Sequence, residues 1–140
     1  MNPRTPVLVG AAQVLNRLEG LEDAKEPLEM MTAAILLAEK DTGVGNVLAQ
    51  AQSVRVVRGM WGYENPAKLL AERIGTVGAE SIGTLIGGNQ NQVVINETAS
   101  AILHEGLDLA VITGAENGNS AGKARKAGVT LTEMPAPGKY

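Results

Sequence analysis

The period of apolar positions changes several times along the chain, and each change predicts an element. Pro6–Gln13, "PVLVGAAQ", is a continuous apolar run closing in small residues, which predicts a short buried strand. Residues 14–26 are polar and read as a loop. Glu26-Pro27 then opens a helix whose stripe Leu28, Met31, Ile35 and Ala38 shares one face, and Gly43 and Gly45 end it. "SVRVVRG" sets Val54 and Val56 against Arg55, predicting a strand with one wet face. "ENPAKLLAERIG" predicts a helix with Asn65 as N-cap, Pro66 at its first position and Gly75 as its stop.

The next stretch is the most sharply patterned. Ser81–Gly88, "SIGTLIGG", predicts a strand, Gln90–Gly106 a helix, and Leu107–Glu116 a buried strand. On the helix, Ile95, Ala99 and Ile102 share one face, while Glu97, Ser100 and His104 share another. Strand, helix and strand with tight connections form a βαβ unit, so its two strands are expected parallel with a right-handed crossover. From Asn119 the chain predicts a short basic helix, then a loop or tail ending in "PAPGKY". No internal repeat, low-complexity stretch or domain linker is visible.

Composition narrows the chemistry. The chain has 140 residues, a length that suits one domain, and 44% of them are hydrophobic. A net charge of −3 argues against a general nucleic-acid surface, and small groups such as Arg55 with Arg58, or Lys123 with Arg125 and Lys126, read as solvated faces. No apolar run approaches the ~20 residues of a membrane span. The first residues lack a signal-peptide layout, and a cytoplasmic location is the expectation. With no cysteine, thiolate metal sites, disulfides and thiol nucleophiles are excluded, and the single histidine, His104, belongs to no metal-ligand cluster. Phe is absent and glycine reaches 17 residues, so closely packed α/β layers are expected rather than an aromatic core.

Four places could carry chemistry. Gly87-Gly88-Asn89-Gln90-Asn91 joins strand to helix, where free amides and partial positive charge favour an anion. It lacks the Walker lysine and the third glycine of a dinucleotide fingerprint, and a plain tight turn capped by Asn89 is the competing reading. "GAENGNS", Gly114–Ser120, follows a strand and is either a second loop at the same sheet edge or a turn in which Asn117 or Asn119 caps the next helix. His104 falls in the last turn of its helix, favourable for a cation. It stands on the order of 20 Å from Asn89 at 1.5 Å per residue, too far to act there. Trp61 and Tyr63, in "RGMWGYENP", are expected to pack against a neighbouring layer rather than to stack on bases.

Taken together, "GTLIGGNQNQVVINETASAILHEGLDLAVITGAENGNS" resembles the N-terminal half of the thiolase superfamily. The residues carrying the resemblance are Ala101-Ile102, Gly106, Asp108, Val111 and Gly114-Ala115-Glu116, after a strand–turn–helix of the nucleophile type. "TPVLVGAAQ" is similar to the opening of that half, and "RVVRGMWGYENPAKLLAERIG" adds similarity to thiolase-like acetyl-CoA acetyltransferase relatives that depart from the catalytic pattern. The resemblance implies an α/β fold of layered βαβ units, with a mixed, mostly parallel sheet and helices on both faces. It implies a thiolase-like domain over residues 1–120, and the start of a loop region or tail over 121–140.

In catalytic thiolases this turn carries the acyl-accepting cysteine. Alignment back from Glu116, with one residue fewer near Glu105-Gly106, sets Asn89 at or beside that position. An asparagine cannot form the thioester that divides the reaction. The histidines and second cysteine of those enzymes come from a C-terminal half. The resemblance therefore implies a thiolase-like protein without thiolase turnover of its own, or one half of an acyl-CoA acyltransferase completed by a second polypeptide or a C-terminal half. The implied substrate-binding set is Gly88, Asn89, Gln90, Asn91, Glu116 and Asn117. No cofactor or metal is implied; acyl-CoA or an acyl carrier is the implied ligand. One half alone would leave an apolar helix layer and a sheet edge open, so pairing with a second copy or with a C-terminal thiolase half is expected. A flavodoxin-like ligand binder is the alternative from another class, and it would be coloured by flavin.

Overall fold

Both ends of the first two helices carry the chemistry their sequences promise. In a computed structural model, which describes residues 2–136 and 138–140, helix α1 runs Pro27–Asp41 and α2 runs Pro66–Arg73. Glu29 reaches back to accept from the Glu26 amide at 3.2 Å, and Gly43 follows α1 at φ +71°, a backbone angle that favours glycine. At α2, the Asn65 side chain accepts from the Lys68 amide at 3.1 Å, as an N-cap should.

Three short strands, β1 (Ser53–Val56), β2 (Glu80–Gly83) and β3 (Ala110–Thr113), form a wholly parallel sheet in the order β2-β1-β3. Arg55 stands in register with Ile82 on one side and Ile112 on the other. The strands flanking helix α3 (Gln90–His104) are parallel, as expected of a βαβ unit, but β1 lies between them. The steps β1–α2–β2 and β2–α3–β3 thus run in opposite directions, and right-handed crossovers put α2 and α3 on opposite faces.

The face under α1 and α2 holds the core. Leu28, Met31 and Ile35 of α1 and Ala67, Leu70 and Ala71 of α2 close over Val54 and Val56, with Trp61, Tyr63 and Ala136. Trp61 and Tyr63 pack there at a ring separation of 5.0 Å, so the aromatic pair is core and not a stacking platform. The C-terminal segment packs back on this side: Asn65 donates its amide to Ala136 and its side chain to Lys139. Pro137, within the expected tail, lies outside the described residues. The last helix, α4, spans Gly118–Ala127 and is the expected basic one.

Five sequence expectations need correction. Pro6–Gln13 is extended but is no strand, and Val7, Leu8 and Val9 are exposed. It is tied at its ends instead: Arg4 grips the Ile102 and Leu107 carbonyls and Asp108, and the Ala11 amide donates to Asp41. Between those anchors no backbone bond joins it to β3, whose outer edge is open among the described residues. Arg55 does not face water; it is 5% exposed, on the central strand between Ile82 and Ile112. Its Nε donates to Ser53 at 3.1 Å, and its guanidinium stands 3.9 Å from Glu80. The strand expected over 81–88 ends at Gly83, since β1 runs out and the Thr84 amide makes the last ladder bond, to Val56. The strand expected to be buried over 107–116 is four residues long and only partly covered, at the sheet edge with no outer neighbour among the described residues. Finally, α3 buries Val94, Thr98 and Ala101, while Ile95 of the expected apolar stripe is half exposed.

Candidate functional site

In a parallel sheet with helices on opposite faces, the connections leaving the carboxyl ends of the strands diverge and form a rim where ligands bind. Here that rim is built by Val57–Trp61 after β1, Thr84–Asn91 after β2 and Gly114–Asn117 after β3. The Arg58 amide donates to Thr84 Oγ1 at 2.9 Å, joining the first two connections. The Met60 amide donates to Glu116 Oε1 at 2.7 Å and Trp61 Nε1 to the Ala115 carbonyl at 3.1 Å, joining the first and third. Arg58 lies 4.8 Å over the Trp61 ring and donates to the Trp61 and Tyr63 carbonyls, which fixes the middle connection.

The Gly87–Asn91 turn is made as a strand-to-helix display should be. Gln90 donates its amide to Gly87 at 3.1 Å, reversing the chain, and Asn89 takes the N-cap position of α3. Its carboxamide does not cap the helix. The amides of Asn89 and Asn91 have no protein acceptor among the described residues. Gly88, Asn89 and Asn91 are exposed, and Leu85 and Ile86 beside them are largely in water. The turn therefore offers free amides, one carboxamide and an apolar shoulder at an open rim.

Of the expected binding set, Gly88, Asn89, Gln90 and Asn91 stay together on this turn. Glu116 and Asn117 stand after β3, two strands away, on the order of 10 Å at ~4.8 Å per strand. Glu116 is engaged in holding Met60. It lines, with Asn117, a cavity of about 230 Å³ reached from Asn16 and Arg17 rather than from Asn89. Asn117 occupies the N-cap position of α4 but makes no side-chain cap bond. His104 is exposed at the far end of α3.

Two tyrosines near the rim are held protonated by their surroundings. Burial, reinforced by a 2.8 Å hydrogen bond to Glu26, pushes the Tyr63 phenol well above its ordinary range. Tyr140, half exposed but with its ring against Gly83 where a Cβ would collide with it, is pushed up to about 12 by the burial of its other half. Neither Arg17 nor Tyr140 stood out in the sequence: one sits in a polar loop and the other in a tail, and only the fold brings them to the rim. Among the described residues no group of three or more His, Asp or Glu side chains could hold a metal, and no helix is long and apolar enough to cross a membrane.

Neither a family model nor a curated protein matches the chain. A solved structure does: a monomeric SCP2-thiolase-like protein type 1 from Mycobacterium smegmatis superposes with a TM-score of 0.70 at 30% identity, over 83% of this chain. The fold is thiolase-like. The chain spans 24% of that protein's length, so the likeness concerns one portion of a larger architecture. The parallel sheet with helices on both faces agrees with it.

Proposed function

We propose that this chain is a thiolase-like module that binds an acyl thioester, acyl-CoA or an acyl carrier, at the Gly88–Asn91 turn without thiolase turnover of its own. The observation that carries the reading is the turn itself: a strand end, free amides at the start of α3 and an exposed Asn89 carboxamide, at the position to which the thiolase resemblance assigns the thiol. Free amides at a helix start suit a thioester carbonyl or phosphate oxygen. A carboxamide can donate a hydrogen bond to that oxygen but supplies no nucleophile. Leu85 and Ile86 give an acyl chain an apolar surface. In this reading Gly88, Asn89, Gln90 and Asn91 contact the ligand. Glu116 holds the Met60 loop beside it, and Asn117 stands farther along the rim. The protein works in the cytoplasm, where acyl thioesters are made and used.

A second reading is favoured by the far side of α3. Ile95 and Leu103 are exposed on a helix whose opposite side already rests on the sheet, and a helix apolar on two sides is normally covered on both. Half of an acyltransferase completed by a C-terminal thiolase half, or a self-paired module, would supply that cover. An assay of acetoacetyl-CoA, by equilibrium binding and by thiolysis, separates the two. Saturable binding with no thiolysis, weakened by Asn89→Ala, is the expected result. Measurable wild-type turnover by the chain alone would overturn the binding-only reading, and no binding would overturn the thioester site.

A further inference from the structure

Beyond α4 the described residues, 129–136 and 138–140, form neither helix nor strand, yet from Glu133 onward they are fastened to the scaffold. Glu133 accepts from the Gly62 amide at 2.9 Å, and the Met134 amide donates to Glu26, just ahead of α1, at 2.6 Å. The Ala136 carbonyl accepts from the Asn65 amide at 3.0 Å, and the Lys139 carbonyl from the Asn65 side chain at 2.8 Å. Asn65 thus has a double duty. Its Oδ1 caps α2 through the Lys68 amide, while its Nδ2 holds the C-terminal segment.

The last contact of the segment is its most specific. The Tyr140 side chain lies on Gly83, the final residue of β2, and supplies the three atoms nearest to where a Cβ would stand. Gly83 has no positive φ, so its backbone is one that any residue adopts. A glycine inside a strand marks a close approach, and here the approaching group is the tyrosine ring. The seat adjoins the rim: Thr84, the next residue, donates its amide to Val56 at 3.0 Å and accepts at Oγ1 from the Arg58 amide. The segment itself buries little. Ala136 is enclosed, whereas Met134, Pro135, Gly138 and Lys139 are exposed and Tyr140 is half exposed. A segment held by hydrogen bonds and one ring, with little apolar burial, opens at low free energy.

We propose that the C-terminal segment is a releasable strap: with Tyr140 seated on Gly83 it fixes the exit of β2, and with the ring displaced the joint between Thr84 and Arg58 loosens. The strap is clasped at both ends of one α–β unit, at Asn65 before α2 and at Gly83 closing β2. Its release frees Asn65 Nδ2 but leaves the Oδ1 bond to the Lys68 amide in place. The α2 helix therefore stays capped while the rim relaxes. What is controlled is the start of the Thr84–Asn91 connection, whose freedom to move sets how the turn beyond it is presented. The device is read from backbone opening and needs no acyl thioester, so the binding reading of that turn can fail without affecting it.

Amide hydrogen exchange on the whole chain, followed by nuclear magnetic resonance, tests the strap with two variants that unseat the ring from opposite sides. Gly83→Ala fills the seat, and Tyr140→Ala removes the ring while leaving β2 untouched. In each, exchange at the Arg58 and Thr84 amides is expected to quicken about tenfold, as for the loss of one net hydrogen bond. The Leu70 and Ala71 amides of α2 are expected to exchange as in the native chain. Nuclear Overhauser contacts between the Tyr140 ring and Gly83, present in the native chain, are expected to vanish in both variants. Unchanged exchange at Arg58 and Thr84 in Tyr140→Ala would overturn the proposal, because a change confined to Gly83→Ala would come from the added methyl group alone. Equal quickening in α2 would also overturn it, since the ring would then support the whole fold and not the rim.

Discussion

The two faces of the sheet are finished to different degrees. Beneath α1 and α2, Val54 and Val56 are sealed by leucine, methionine and alanine side chains, and even the C-terminal segment contributes Ala136. On the other face α3 buries Val94, Thr98 and Ala101, while Ile95 and Leu103 are exposed and β3 has no outer neighbour among the described residues. Apolar surface that a chain keeps in water is surface that meets something else. The finished side is the scaffold. The open side, with the Asn89 turn at the start of α3, is the side to which the proposed function assigns a ligand or a second body.

The sharpest way to break this contrast is to truncate one side chain on each face. Leu70→Ala removes a fully buried side chain from the finished face and is expected to cost about 2–5 kcal/mol in urea unfolding. Ile95→Ala on α3 is expected to stay within about 0.5 kcal/mol, as at other surface positions. Equal costs would mean that the outer side of α3 is already packed. A smaller effect sharpens the account of the finished side. Tyr63→Phe deletes the hydroxyl that donates to Glu26 at 2.8 Å and is expected to lower stability by about 1–2 kcal/mol in the same experiment. Asn65→Ala, losing the α2 cap, should cost about 1 kcal/mol.

On the open side, Ile95→Glu with Leu103→Glu is expected to reduce binding of a hydrophobic dye while leaving the melting temperature nearly unchanged, read by fluorescence and circular dichroism. The smallest effect concerns pH. Folding raises the Tyr140 phenol from 10.0 to about 12, so the neutral form is favoured in the folded chain. Its contribution is complete below pH 10 and is lost as pH rises through about 12. Tyr140→Phe is expected to flatten that part of the stability profile, measured by denaturation between those limits.

Local signals made much of the scaffold legible. Glu26-Pro27 and Asn65-Pro66 mark helix starts because capping is decided within one turn of chain, and both helices lie where those dipeptides put them. The layered α/β class followed from the small-residue composition, and the parallel pair around α3 from the strand–helix–strand order with tight connections. What stayed hidden depends on partners distant in sequence. Pro6–Gln13 has a strand's composition, but a strand exists only with a neighbour, and periodicity does not reveal whether the neighbour is there. Arg55 read as solvent-facing because alternation along one strand does not reveal that the strand is central, with β2 and β3 on either side. At the rim, the Asn89 turn was readable from its glycines, whereas Arg17 and Ser120 carry no local signal and meet only through the packing of the loop on α4.

Residue-resolved hydrogen exchange on the intact chain tests the contrast between the two faces most directly. The account predicts that the β1 and α2 amides exchange only through global unfolding, while α3 opens at much lower free energy and Pro6–Gln13 exchanges almost unprotected. Equal protection of α3 and α2, together with slow exchange across residues 7–9, would contradict it.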